Sequence, residues 1–369
     1  MHKVTFYPLG NADCSLIELD NGKNFLFDYS HCRDESDDND LRIDLKNSIL
    51  EKMEDKEKDF FDVVTFTHAD DDHIKGFSDI FYLEHSSKYQ DEDRLKINEL
   101  WVPASVIIEK DLENDAEILQ KEARYRLKNK SNIKIFSRPS MLKDWFKNNG
   151  LDINEYKELM IDAGQIVPNF NYTDDSIEIF VHSPFAKREE DELIDRNLCS
   201  IVVQITFMSS KEYTRVILSA DTPHENWKEI VEITRGKDRE EKLSWDIFKI
   251  PHHCSYKSLS DEKGDKKTEP IEEVQWLFNQ GQEKCTIIST SKVIEDEDSD
   301  QPPHYQAKNF YKEIATDKDG EFIVTMEHPK PSKPEPLEIE IDETGTTILK
   351  RNLGAVGVLT SRPAPRAGD

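Results

Sequence analysis

Alternating apolar and polar positions open this chain and predict short strands at 3–7, 14–19 and 24–28. The last two are separated by Asp20-Asn21-Gly22, in which Asn and Gly tolerate the backbone of a tight hairpin. Apolar residues then recur at helical spacing over 42–55. The stretch Phe61-Asp62-Val63-Val64-Thr65-Phe66-Thr67 predicts a buried strand that ends directly at His68. Between 82 and 170 the pattern loosens. Strands are predicted there at 99–103 and 133–136 and charged helices at 115–127 and 141–148, so the stretch reads as a helical insertion walling one side of a site. Regular strands return at 176–182, 200–206, 214–219, 247–250 and 286–289, with helices at 225–234 and 271–278 between them. A hairpin pairs 337–342 with 346–350, and the Ala-, Gly-, Pro- and Arg-rich segment 353–369 is expected to be disordered. One domain over 1–352 accounts for the rest, and no solenoid repeat interrupts it.

With 36% hydrophobic residues in 369, the chain can bury a sizeable core of α/β class. No run approaches the roughly 18 apolar residues of a membrane span. The first ten residues enter a strand pattern without the features of a signal or transit peptide, so cytoplasmic residence and no membrane partner are expected. The five cysteines are odd in number, have no CxxC spacing and read as reduced thiols. The net charge of −27 changes the picture, because proteins that hold long nucleic acids usually present Lys and Arg to the phosphates. The acidic runs at 34–40 and 295–300 read as solvated surface. A basic cluster of Lys121, Arg124, Arg126, Lys128 and Lys130 is the local exception, with a solvated helix face as its plainer account.

The chemistry concentrates at His68-Ala69-Asp70-Asp71-Asp72-His73. Three carboxylates between two histidines repel one another in a folded turn unless a cation sits among them, and imidazole with carboxylate suits Zn, Mn or Fe. Asp221 ends the apolar run Val216-Ile217-Leu218, and Pro251-His252-His253-Cys254-Ser255 follows the run at 247–250. Alone, Asp221 reads as a turn residue. Three strand ends that each present a ligand are far more specific than one.

The order Thr67-His68-x-Asp70-x-Asp72-His73, Ser219-Ala220-Asp221 and Pro251-His252-His253-Cys254-Ser255 resembles the metallo-β-lactamase superfamily, whose familiar members carry histidine in place of Asp70. The aspartate form is similar to the soluble catalytic domain of the competence protein ComEC and its stand-alone relatives. Leu9-Gly10-Asn11-Ala12-Asp13-Cys14, Phe25-Leu26-Phe27-Asp28, Asn197-x-x-Ser200 and Pro302-Pro303-His304 extend the resemblance from about 4 to about 311.

The resemblance implies an αββα sandwich with a helical insertion, and a phosphodiester hydrolase, a nuclease on DNA or RNA. Its cofactors would be two divalent ions, Zn or Mn, and its nucleophile a metal-bound hydroxide. His68 and Asp70 would hold one ion, Asp72, His73 and His253 the other, and Asp221 would bridge them. Asp72 would also orient the attacking water. His252, Ser255 and Lys257 would face the phosphate, and Asp28 would support a ligand histidine. His304 would be a transition-state donor or a structural residue. No histidine clearly matches the ligand usually supplied between the first motif and Asp221; His182 and Asn197 qualify by position alone. Ala12, Ala220 and Cys254 stand where relatives have glycine, which is tolerable at negative φ. Hydrolysis of a small nucleotide or of a carbonyl ester (lactone, thioester), and a non-catalytic regulatory subunit, are the alternatives. The expected partners are nucleic acid or nucleotide and a protein supplying basic surface.

Overall fold

A computed structural model of the chain describes residues 1–189, 194–352 and 355–362, with side chains over 1–187 and 194–349. Strands β1 (His2–Phe6), β2 (Ser15–Glu18) and β3 (Asn24–Phe27) form an antiparallel meander, and Gly22 (φ 88°) turns the second hairpin. Helix α1 (Leu45–Glu54) follows, its N-terminus capped by the Asp44 carboxylate, which accepts from the Asn47 N–H at 3.0 Å. Next come β4 (Phe60–Phe61), β5 (Val63–Thr65), α2 (Asp71–Ile74), β6 (Lys96–Ile97), β7 (Leu100–Pro103), α3 (Ala104–Ile108), α4 (Asn114–Asn129), β8 (Ile133–Phe136), α5 (Ser140–Asn148) and β9 (Met160–Ile161). The second half runs β10 (Ile177–Ser183), β11 (Val202–Ser209), β12 (Glu212–Leu218), α6 (His224–Arg235), β13 (Trp245–Lys249), α7 (Glu272–Asn279), β14 (Gly281–Ser289), α8 (Tyr305–Asp317) and β15 (Glu321–Val324). Finally β16 (Leu337–Asp342), β17 (Gly345–Asn352) and β18 (Ala355–Arg362) return to the first half.

Two large sheets result, ordered β18-β17-β16-β1-β2-β3-β5-β7-β8-β9 and β10-β11-β12-β13-β14-β15, and β4 and β6 pair in parallel as a small separate sheet. The two-residue period of a strand sorts the side chains onto opposite faces. Val4, Phe6, Ile17, Phe25, Phe27 and Val63 of the first sheet meet Val203, Ile205, Phe207, Val216, Ile247 and Ile288 of the second in one shared core. Their neighbours face outward: Leu16, Leu26 and Val64 pack with residues of α1, α3, α4 and α5, while Val202, Ile217, Phe248 and Ile287 pack with residues of α6, α7 and α8. Each large apolar side chain withdrawn from water in these layers contributes about 1.5–3 kcal/mol. The layering is helix, sheet, sheet, helix: the αββα sandwich.

Segment 82–170 differs from the expected insertion. It supplies β7, β8 and β9, which extend the first sheet in parallel pairing, and α3, α4 and α5 over its outer face. The segment is thus part of the sandwich, and among its residues Glu109 pairs with Arg196 and Asp115 accepts from the Gly76 N–H just past α2. The tail also differs, with Ala355–Arg362 forming β18; residues 353, 354 and 363–369 lie outside those described. All five cysteines are free thiols. Among the described residues, no helix is long and apolar enough to cross a membrane.

Candidate metal centre

β3, β5, β12 and β13 all deliver their carboxyl ends to one edge of the sandwich. Past β5 the chain makes one short helical turn, α2, that is pinned on several sides. The Asp72 carbonyl accepts from the Asp13 N–H at 2.9 Å, the His73 carbonyl from the Tyr29 N–H at 2.9 Å, and the Asp71 carbonyl from the Ser30 hydroxyl at 2.8 Å. Asp28, at a left-handed φ of 58° just past β3, accepts from the Thr67 N–H at 2.7 Å and the Thr67 hydroxyl at 2.8 Å. Its Oδ2 also lies 2.8 Å from His73 Nδ1. With Nδ1–H directed at Asp28, His73 presents Nε2 to the centre, the usual work of a carboxylate behind a ligand histidine. Asp28→Asn keeps the shape and loses this charge-assisted bond, so metal affinity is expected to fall about 10–100-fold. Competition with a chromophoric chelator reads the change, and unaltered affinity would remove Asp28 from this role.

On the second sheet, Asp221 follows β12 and sits 2% exposed. After β13 the chain takes three consecutive left-handed residues, His252 (φ 50°), His253 (φ 51°) and Cys254 (φ 67°), and Ala220 beside Asp221 has φ 46°. The negative φ at which these replacements of glycine would be tolerable is thus not met at Cys254 or Ala220. Such backbone costs of order 1–3 kcal/mol per residue and persists where surrounding contacts enforce it. Here it turns the two histidines apart. His253 Nδ1 lies 2.7 Å from the Thr290 carbonyl, which orients Nε2 toward Asp72 Oδ2 at 3.2 Å and Asp221 Oδ2 at 3.8 Å.

Asp72, His73, Asp221 and His253 each offer a ligand atom within 4.8 Å of the others. The donor set fits a divalent cation. His73 Nε2 faces Asp221 Oδ1 at 3.2 Å, yet both atoms, and His68 Nε2, are buried without completing a hydrogen bond. Burying such atoms unpaired is costly, and a cation beside His73 Nε2 and Asp221 Oδ1 would satisfy that pair. Burial pushes the Asp221 carboxyl up, but His253 and His73 outweigh it and hold the group well below the usual carboxylate range. Burial likewise depresses His73, and Asp28 and Asp221 outweigh it, raising the imidazole well above its ordinary value. The cluster is a nest of opposed charges built around one point.

His68, Asp70 and Asp72 form a neighbouring group, with His68 Nε2 3.5 Å from Asp70 Oδ2. Asp70, however, is held by Arg196, whose Nη1 donates to Asp70 Oδ1 at 2.6 Å and to the Ala69 carbonyl at 3.1 Å. Glu109 grips the same guanidinium through Nε at 3.0 Å and Nη2 at 2.7 Å. Neither Arg196 nor Glu109 stands in a motif. A third feature without a sequence signal is the buried Lys249 ammonium, which pairs with Asp13 behind His73.

The remaining candidates lie around this centre. His252 Nε2 is 3.9 Å from Asp221 Oδ2. Asn197 has a buried side-chain oxygen without a partner and, with His252 and Lys257, lines a cavity of about 310 Å³ beside the centre. Asp195, Glu225 and Asp261 line it too. The Ser255 hydroxyl accepts from the Lys257 N–H at 3.3 Å, so it caps a turn. His304 contacts the loop instead of the ligand cluster among the described residues: its N–H donates to the Cys254 carbonyl at 3.0 Å, and its ring packs edge-on against Tyr256 at 4.9 Å. His182 lies apart from the other candidates. It lies in β10, packs on Phe180, and joins none of the metal-capable groups among the described residues; burial lowers its pKa to about 3.

Two sheets face to face, helices outside, and a His/Asp cluster on the carboxyl ends of inner strands make an αββα sandwich with a candidate metal centre on one edge. No protein-family model and no curated protein matches the chain. Among solved structures it is similar to a diphosphatase of the PhnP family (9% identity, 93% of this chain and 98% of that one, TM-score 0.38). It is also similar to a long-form RNase Z from yeast (13% identity, 88% and 40%, TM-score 0.39). A third is the metallo-β-lactamase GOB-18 from Elizabethkingia meningoseptica (13% identity, 85% and 89%, TM-score 0.33).

Proposed function

We propose that this chain is a metal-dependent phosphodiester hydrolase that cleaves nucleic acid. The observation that carries the reading is the four-residue group Asp72, His73, Asp221 and His253, with its unsatisfied nitrogen and oxygen atoms at one point. A divalent ion there supplies Lewis acidity and lowers the pKa of water from about 15.7 to about 7. The residues of the chain do the rest. Asp72 has a side chain 36% exposed against 2–3% for His253 and Asp221, so it is the ligand that incoming water meets. Its Oδ2 is engaged by His253, leaving the other oxygen to take the proton of the attacking water. Lys257, exposed at the cavity beside the centre, places a positive charge on a flexible stem for a phosphate oxygen.

Three carboxylates around that cavity favour a second reading, a neutral carbonyl ester as substrate. Elemental analysis of the purified protein, with cleavage of labelled single- and double-stranded DNA and RNA and of a lactone and a thioester, separates the two. Metal-dependent nucleic acid cleavage is expected, falling by about 100- to 10,000-fold in Asp72→Ala, the span associated with a general base. Bound metal with ester turnover alone would replace the nuclease by the second reading. No bound metal at any concentration would sink both and leave a binding subunit.

A further inference from the structure

The acidity of the chain raises the question of where a polyanion would rest. The basic stretch 121–130 does not provide the place. Arg126 is buried against Glu122, Arg124 donates to the Ile107 carbonyl, Lys121 pairs with Glu117, Lys130 with Glu155, and Lys128 lies over the Trp145 ring. These cations are already paired with carboxylates, carbonyls or a ring of the chain itself.

A cavity of about 490 Å³ has the opposite character. It opens where β8, β9 and β10 end, between Ser137 and Arg138 past β8, Asp162 past β9 and Pro184 past β10. Lys143 of α5 and Lys157 reach it from outside, and both are exposed. Among the described residues its charged lining is three cations, Arg138, Lys143 and Lys157, against one carboxylate, Asp162. Arg138 is committed to Asp162, with its Nε donating to Asp162 Oδ1 at 3.0 Å. The two lysines carry the remaining charge. The cavity beside the metal centre has the reverse balance, with three carboxylates against Lys257. A pocket lined by Arg33, Arg42 and Lys52 near α1 is dominated by Asp38, Asp40, Asp44, Glu51, Asp55 and Glu338.

The topology ties the basic cavity to the centre. β5, β7, β8 and β9 run parallel, so the loops after β8 and β9 open on the same edge of the sandwich as His68 after β5. β10 is antiparallel to β11 and β11 to β12, which brings the end of β10 to the edge that carries Asp221. β8 and β9 are the second and third strands from β5, so at about 4.8 Å per strand the cavity lies roughly 10–14 Å along the edge from the ligands. A strand of nucleic acid rises about 3.4 Å per nucleotide in a duplex, so this separation spans a few phosphates.

We infer that the cavity at the ends of β8, β9 and β10 is a phosphate subsite, in which Lys143 and Lys157 hold the backbone of a single nucleic acid strand a few nucleotides from the scissile bond. This rests on the phosphodiesterase reading and assigns its substrate a length: a polymer that spans both places, where a mononucleotide reaches only one.

The test is binding and cleavage with the double variant Lys143→Gln/Lys157→Gln, both positions being exposed and outside the metal centre. Anisotropy of a labelled 20-nucleotide single strand, measured with chelator present, needs no turnover. The variant is expected to bind at least about 5-fold more weakly at low salt. The slope of log affinity on log salt is expected to fall by about 1.4, since each phosphate that a single strand no longer has neutralised removes about 0.7. In turnover, KM for the 20-mer is expected to rise with kcat unchanged, while cleavage of bis(p-nitrophenyl) phosphate stays as in the wild type. Equal affinity and slope in the two proteins, or no binding of the strand by the wild type, would overturn the subsite. Binding that weakens as expected, in a protein that cleaves neither substrate with any metal, would instead refute the phosphodiesterase reading and leave the strand-binding site standing.

Discussion

Asp221→Asn is expected to release the metal and abolish hydrolysis while the fold persists. The carboxylate is buried and lies between three imidazoles, with Oδ1 3.2 Å from His73 Nε2, and Oδ2 3.8 Å from His253 Nε2 and 3.9 Å from His252 Nε2. It faces His73 from the strand end after β5 and His252 and His253 from the one after β13. Asparagine has nearly the same shape, so the packing around β12 is retained, but one anionic oxygen becomes an NH₂ that donates toward the point where a cation would sit. Losing a carboxylate that merely supports a ligand costs about 10–100-fold in affinity. Losing one that faces two ligand histidines should exceed about 100-fold. Elemental analysis after gel filtration, with near-ultraviolet circular dichroism as the check on packing, reads both parts. A natively packed variant that keeps its metal at wild-type affinity would show that Asp221 is no ligand, and the centre would need another composition.

The parts of this centre that the sequence displays are those written next to a strand. His68, Asp70, Asp72 and His73 lie within six positions after a predicted strand, and Asp221 and His253 each follow an apolar run. Adjacency along the chain becomes adjacency in space because parallel inner strands share one edge. Period-two alternation marks the antiparallel strands for the same reason: each has two faces with different neighbours. The strands β7, β8 and β9 are short and buried on both faces, so they carry no alternation and resemble an insertion. Arg196 and Glu109 are 87 positions apart, and Lys249 and Asp13 are 236 apart. Such pairs exist only once two sheets have packed, and no local spacing marks them. His182 illustrates the converse, since its place in chain order suggests a ligand while its strand carries it toward Phe180. The left-handed backbone at Ala220 and at 252–254 carries no glycine of its own, so only the resemblance to relatives with glycine at Ala220 and Cys254 hints at it.

Arg196→Gln is expected to change how many ions the protein holds. The two metal-capable groups share Asp72, but they differ in surroundings. Around Asp221, His73 Nε2 and Asp221 Oδ1 lack hydrogen-bond partners, whereas Asp70 Oδ1 already accepts from a guanidinium at 2.6 Å that Glu109 clamps from behind. A fixed cation there satisfies part of the negative charge a second ion would need and repels that ion. Unit charges 4 Å apart interact by about 4 kcal/mol at an effective dielectric near 20, and solvent at this half-exposed pair reduces the effect. The wild type should therefore bind one ion tightly at the Asp72-His73-Asp221-His253 group and a second one weakly at His68-Asp70-Asp72. Removing the guanidinium should tighten the second site by about tenfold, equivalent to roughly 1.4 kcal/mol, with the first unchanged. Arg196→Lys keeps the charge and should keep the second ion weak, which separates electrostatics from packing. Equilibrium dialysis against Zn or Mn, with ion content measured at each free concentration, distinguishes one step from two. Two ions bound with equal affinity by the wild type, or a second affinity that ignores the Gln substitution, would mean that Arg196 only braces the loop and leaves Asp70 available as a ligand.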